Sequence, residues 1–237
     1  MTTTDICSLP PHIRWQRALR ALAKLLRNPD ETDVVLEFTS LANAGSNVDR
    51  IHEFYAYEDG QQLWDEQRAL DSKTIDLDAL YALPSGTLGH AYASFMKRHG
   101  LTPNVFDGPP ENVADSRTAY VLQRMRQTHD LWHVVNNVET DPAGEVALQA
   151  FYYAHLGAPS TGIIAFFGTL KTLRHEPQIL RDVFEMIRRG RHADRMATFH
   201  WEDHWATPLA EVRQLLGLPK HPRLIGGYTK GVFESAA

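Results

Sequence analysis

Apolar residues along this chain recur at helical spacing almost throughout. Trp15, Ala18, Leu19, Leu22, Leu25 and Leu26 share one face of a helix, and Arg14, Arg17, Arg20, Lys24 and Arg27 the other. Asn28-Pro29 ends that helix, and Thr32 caps a second one running through Ala42. Shorter helices are expected over 51–57 and 61–70, around a turn at Glu58-Asp59-Gly60. Leu83-Pro84-Ser85 opens a helix over 86–99, stopped by Gly100. Residues 102–110 hold three prolines and read as an ordered loop. A long helix is expected over 115–137. Residues 136–141 then turn the chain, with Asp141 as cap and Pro142 in the first helical position. Two apolar helices follow over 143–155 and 160–173, and others over 177–190 and 208–216. Val34-Val35-Leu36 is the only β-leaning run. The pattern predicts one all-α domain over 1–237, with its core at about 13–218 and a mobile tail after about 226.

Composition narrows the classes. A chain of 237 residues with 43% apolar content can bury a sizeable core. The net charge of −5, with mixed signs, gives no nucleic-acid signature. One cysteine, Cys7, excludes an internal disulfide framework and a cysteine-based metal site. No run reaches the roughly 18 apolar residues of a spanning helix. The most apolar stretch, 156–170, is interrupted by Pro159. The N-terminus lacks the apolar core of a signal peptide, although residues 12–29 are Arg-rich and acid-poor, as transit peptides are. The expectation is a cytoplasmic protein peripheral to the inner membrane, on the matrix side if mitochondrial.

Candidate chemistry gathers on the long helix. His129, Asp130 and His133 stand at i, i+1 and i+4, so both imidazoles project from nearly one face. Asp130 lies about 60° around the axis from His133. Two imidazoles one turn apart clamp a borderline ion such as Zn²⁺. One helix leaves the ion open on one side. On a continuous helix Glu145 would be about 18 Å from His133, but the turn at 136–142 makes a hairpin and brings it back. The set is then His129, Asp130, His133 and Glu145, with Zn²⁺ favoured and Fe²⁺ or Mn²⁺ open because half the donors are oxygens. The same residues could instead form a hydrogen-bonded core cluster.

Rival patterns fit less well. A zincin protease needs Glu where this chain has Asp130. A His-Asp phosphohydrolase needs distant ligands, for which only His90 or His99 could be invoked. A di-iron bundle needs Glu-x-x-His twice. His200 and His204 form a second i, i+4 pair beside Glu202 and Asp203, readable as a second metal site or as a packing corner.

The chain resembles the coenzyme Q (ubiquinone) biosynthesis protein 4 family, whose signature is H-D-x-x-H, eleven residues, then Glu. Here it reads His129-Asp130-Leu131-Trp132-His133, then Glu145 at that spacing. The lead-in from Tyr120 to Arg126, the stretch from Leu83 to Met96, and Trp201-Glu202 with Pro208 to Arg213 are also similar. The resemblance covers roughly residues 15 to 218. It implies an all-helical fold holding zinc through His129, Asp130, His133 and Glu145. It implies a role in ubiquinone assembly at a membrane surface, with a prenylated quinone precursor and other ubiquinone biosynthesis proteins as partners. A homo-oligomer is expected.

Two functional readings follow. One is an enzyme: metal-dependent oxidative decarboxylation of a prenylated hydroxybenzoate, with hydroxylation at C1. The other is a zinc- and prenyl-lipid-binding scaffold for the biosynthetic complex. Phe151-Tyr152-Tyr153 and residues 163–167 read as central core. Gly157, Gly162 and Gly168 are readable as room for a prenyl chain. The basic first helix suits either an anionic membrane or a solvated face.

Overall fold

The computed structural model describes residues 9–27, 32–107, 113 and 115–228. It is all-helical, and among the described residues extended pairing is limited to two isolated bridges. The helices are α1 (Pro11–Arg27), α2 (Thr32–Asn43), α3 (Asn47–Ala56), α4 (Glu58–Asp65), α5 (Leu77–Tyr81), α6 (Leu88–His99), α7 (Ser116–Gln127), α8 (His129–Asn136), α9 (Pro142–Leu156), α10 (Pro159–Thr172), α11 (Ile179–His192) and α12 (Leu209–Leu215). Short 3-10 turns lie at Pro103–Phe106, Met196–Thr198 and Trp201–His204. The β-leaning Val34-Val35-Leu36 lies inside α2, where packing on α1 overrides local preference.

Three boundaries differ from the sequence reading. The long helix is two, α7 and α8, separated at Thr128. The Thr128 hydroxyl donates back to the Arg124 carbonyl at 3.0 Å, a bond that bends helices. Glu58-Asp59-Gly60 is the first turn of α4 rather than a linker, because extended Tyr57 already separates α3 from α4. A Cβ on Gly60 would lie 1.9 Å from the Phe54 carbonyl oxygen, so only glycine allows that approach. The short α5 was not expected; the Asp76 carboxylate caps it by accepting from the Asp78 and Ala79 amides.

The main core gathers around α8 and α9. Leu131, Trp132, Leu148, Phe151, Met186 and Trp201 are fully buried there. α9 packs along α11 on one side and α10 on the other. α1 and α2 form a smaller apolar cluster through Ala18, Leu22, Phe38 and Leu41. Trp15 and Leu19 were expected on the buried face of α1 but are exposed, since α2 covers only the Ala18–Leu22–Leu25 stripe. α10 was expected to be core. Phe166, Phe167 and Leu170 are instead exposed, because α9 and α2 cover only part of its circumference. Of the three glycines, Gly157 has open space at its Cβ position and ends α9 in the left-handed conformation, φ 64°, whereas Gly162 and Gly168 leave no room. A Cβ on Gly162 would meet the Tyr153 ring at 2.7 Å, and one on Gly168 would meet Val146 at 2.5 Å. They let helices pack closely. Among the described residues, no helix is long and apolar enough to cross a membrane. The expected mobile tail falls mostly on 229–237, outside the described residues.

Candidate metal centre

The α8–α9 hairpin builds the site. Asn137 ends α8 in the left-handed conformation, φ 56°, which asparagine tolerates. Asp141 caps α9, accepting from the Gly144 amide at 3.1 Å, and Pro142 follows at the first helical position. Gly144 is required by the closeness of the turn: a Cβ there would lie 2.0 Å from the Glu139 carbonyl oxygen. A segment near the C-terminus clamps the turn from outside. The Glu139 amide donates to the Ile225 carbonyl at 2.9 Å, and the Ile225 amide to the Asn137 carbonyl at 3.1 Å. The other Asp141 oxygen accepts from the Gly227 amide at 2.9 Å.

This geometry brings three of the four expected donors together. His129, His133 and Glu145 each offer a ligand atom, all within 4.8 Å of one another, and the group could hold a metal ion. The two Nε2 atoms are 3.2 Å apart, and His133 Nε2 is 3.2 Å from Glu145 Oε1. Nitrogens bound tetrahedrally to one zinc-sized ion stand about 3.3 Å apart, so the spacing fits. Glu145 Oε2 lies farther, 3.8 Å from His129 Nε2.

Each imidazole is oriented by a partner on its other nitrogen. His133 Nδ1 lies 3.2 Å from the Val138 carbonyl, which accepts an Nδ1 proton and leaves Nε2 as the atom facing the cluster, where a cation would take its lone pair. His129 Nδ1 lies 3.2 Å from the Tyr152 hydroxyl. The rings are also wedged: Phe95 stacks on His133, and Trp132, Tyr152 and His129 stack in sequence. The His133 side chain is 0% exposed while Glu145 is 39% exposed, so the centre is deep on α8 and open toward the start of α9.

Charge follows this arrangement. Burial opposes charge on His133, but Glu145 beside it prevails and raises its pKa. Burial likewise opposes charge on Glu145, yet the His133 ring holds its carboxylate below the ordinary range. Burial, then the neighbouring His133, lowers His129. Asp130, the fourth expected donor, is outside the converging trio. It is half-buried beside it, and burial raises its carboxyl pKa. Its carboxylate accepts no hydrogen bond among the described residues.

Several residues that support the centre were not singled out from the sequence. Arg213 Nε donates to the Val135 carbonyl at 2.8 Å and Nη2 to the Val134 carbonyl at 3.1 Å. Arg189 Nη1 donates to the Asn136 carbonyl at 2.6 Å. Two buried guanidiniums thus satisfy the orphan carbonyls and the negative end of α8, which carries both histidines. Tyr152 was read only as core. Its position seven residues after Glu145, two turns along the same face, was the available signal.

The remaining expectations resolve differently. His90 Nδ1 is taken by the Tyr81 carbonyl, and His99 pairs with Glu139 and Thr140. His200 Nδ1 lies 3.7 Å from Asp203 Oδ2, but His200 and His204 join no group of three or more ligand-type side chains among the described residues. They sit on a 3-10 turn, with His200 Nε2 at the Asp59 carbonyl and His204 Nδ1 at Thr207 Oγ1. Glu202 and Asp203 are engaged by Arg124 and Arg68.

Fold and site define an all-α protein with a His–His–Glu cluster suited to a divalent cation. The family model for coenzyme Q (ubiquinone) biosynthesis protein Coq4 matches residues 8–222, and the chain belongs to that family. The mitochondrial ubiquinone biosynthesis protein COQ4 of Phaeosphaeria nodorum is 30% identical over 257 aligned positions, covering 94% of this chain and 86% of that one. The Coprinopsis cinerea COQ4 is 31% identical over 165 residues, covering 69% of this chain but only 56% of its own length. The mitochondrial COQ4 homologue of Rattus norvegicus is 31% identical over 171 residues, covering 71% of this chain and 64% of that one. A crystal structure of a Nostoc punctiforme protein, provisionally assigned to ubiquinone biosynthesis, superposes with a TM-score of 0.67 at 25% identity, covering 85% of this chain and 97% of that one.

The stretches of resemblance meet in space. Arg124, buried in the lead-in to the motif, pairs with both oxygens of Glu202 at 2.5 and 2.9 Å. The Leu209 amide donates to the Gly86 carbonyl at 2.8 Å, and Thr87 and Pro208 form an antiparallel bridge.

Proposed function

We propose that this chain acts in ubiquinone biosynthesis as a metal-dependent enzyme that removes the C1 carboxylate from a prenylated hydroxybenzoate, with hydroxylation at that carbon. The observation that carries this reading is the convergence of His129, His133 and Glu145 at an accessible cluster whose rings are pre-oriented by Val138 and Tyr152. Zn²⁺ suits the donors, with Fe²⁺ or Mn²⁺ as alternatives. A bound divalent ion would act as a Lewis acid toward a ring carboxylate or phenolate. The chain's own residues do the rest. His129 and His133 present lone pairs, and Glu145 offsets positive charge. Asp130 stands beside the trio, its carboxyl pKa raised by burial. Zinc carries no redox chemistry, so the two oxidising equivalents would come from dioxygen meeting an electron-rich phenol: the C1–carboxylate bond breaks, CO₂ leaves, a water-derived oxygen takes its place as hydroxyl, and dioxygen is reduced to hydrogen peroxide.

A second reading is a non-catalytic scaffold that presents prenylated intermediates to other ubiquinone biosynthesis proteins at a membrane surface, as a homo-oligomer. The exposed Phe166, Phe167 and Leu170, beside Lys171, favour it. The test uses metal-loaded protein and a prenylated 4-hydroxybenzoate. Loss of the ring carboxylate, abolished by His133→Ala in a folded protein, supports the enzyme. Tight lipid binding without turnover supports the scaffold.

A further inference from the structure

A cavity of about 270 Å³ lies apart from the metal centre, between α3, α7, the C-terminal end of α9 and the chain leaving α11. It shares no lining residue with the His129, Asp130, His133 and Glu145 set. Ile51, Phe54, Leu122, Met125 and Leu156 make its apolar walls. Three guanidinium residues line it: Arg50, Arg191 and Arg195.

The direct contacts of Arg50 and Arg195 are with neutral groups, and the Asp49 carboxylate acts on Arg50 only through space. Arg50 is half-buried, and it donates to Ser46 Oγ at 2.9 Å and Asn47 Oδ1 at 2.5 Å. The Arg195 guanidinium lies over the Tyr57 ring at 3.7 Å. None of the three forms an ion pair among the described residues. The one carboxylate in the described lining, Glu53, is exposed. His155 in the wall has both ring nitrogens committed, to the Gly190 carbonyl and the Met196 amide. Burial lowers its pKa, against the Gly190 carbonyl and the nearby Asp194 carboxylate, which raise it. Among the described lining residues, three arginines thus stand against one carboxylate at the mouth, and the interior is apolar, on a chain of net charge −5. A partly buried guanidinium with no carboxylate in hydrogen-bond contact favours an anion, and planar guanidiniums match carboxylate and phosphate oxygens. The volume sits just below the usual range of roughly 300–1,000 Å³ for ligand pockets.

We propose that this cavity is a second binding site, for a small anionic amphiphile whose carboxylate or phosphate head meets Arg50, Arg191 and Arg195 and whose apolar body fills the space between Ile51, Leu122 and Leu156. This goes beyond the metal-centred reading and does not depend on it.

The test is calorimetric titration of the full chain with decanoate and decyl phosphate, below their micellar concentrations, against decyltrimethylammonium. One anion is expected per chain, with the cation at least about tenfold weaker. Arg191→Glu with Arg195→Glu, at exposed positions, is expected to weaken the anions by about tenfold or more. Leu122→Trp fills the cavity and abolishes binding, with thermal melting as the check on folding. His133→Ala, which disables the metal centre, leaves binding intact, so failure there is distinguishable from failure here. Vesicles of phosphatidylglycerol in phosphatidylcholine identify the source: retention competed by decyl phosphate indicates a bilayer lipid, and no retention indicates a free amphiphile. Equal affinity for the cation, or unchanged affinity in the arginine double variant, overturns the proposal.

Discussion

Two histidine pairs with identical i, i+4 spacing behave differently in this molecule. His129 and His133 bring their Nε2 atoms to 3.2 Å on an α-helix. His200 and His204 are each engaged by a separate partner, the distant Asp59 carbonyl and the nearby Thr207 Oγ1. Their backbone is a 3-10 turn entered from His200 at φ −84° and ψ 71°, so four residues no longer mean one face. Both pairs have acids nearby. Glu145 faces its pair across a hairpin, whereas Glu202 and Asp203 are neutralised by Arg124 and Arg68. A histidine spacing becomes a candidate metal centre when the backbone is α-helical, when fixed partners orient the outer nitrogens, and when the acid has no competing cation.

That contrast can be broken or sharpened in order of size. Gly144→Val attacks the hairpin, where any Cβ meets the Glu139 carbonyl at 2.0 Å. We expect a loss of about 3 kcal/mol or more in urea denaturation, since the obstacle is backbone. Glu145→Gln keeps the shape and removes the charge. Zinc affinity, measured by competition with a chelating dye, should fall about a hundredfold, roughly 2.7 kcal/mol. Tyr152→Phe removes the partner of His129 Nδ1 and should lower that affinity about tenfold with little change in melting temperature. His204→Ala should cost about 1 kcal/mol through the lost stacking on Phe199, at 4.7 Å between ring centroids, and leave metal affinity unchanged. A metal defect in that last variant would erase the distinction between the two pairs.

The hairpin was legible because its signals are local. Asp141-Pro142 marks a helix start and Asn136-Asn137 a helix end, so Glu145 could be brought back to His133 before any coordinates. The break at Thr128 was not legible, because threonine is common inside helices and its back-bonding shows only in geometry. Gly162 and Gly168 misled for another reason. A missing Cβ is consistent with a void or with a close neighbour, and here the neighbours are Tyr153 and Val146. α10 reads as apolar nearly all round, the pattern of a buried helix, yet its packing leaves Phe166 60% exposed. Arg189 and Arg213 were invisible as supports, since a sequence does not say which carbonyls a distant guanidinium will reach. Asp130 shows the limit of angular reasoning: 60° around the axis brought it beside the trio, while the converging donors are the other three.

The most direct test is the metal content of gently purified protein, by elemental analysis. The wild type should carry about one divalent ion per chain, lost in the His129→Ala/His133→Ala variant and retained in His200→Ala/His204→Ala, with all three folded by circular dichroism. A metal-free wild type, or an ion that survives loss of His129 and His133, would contradict the account.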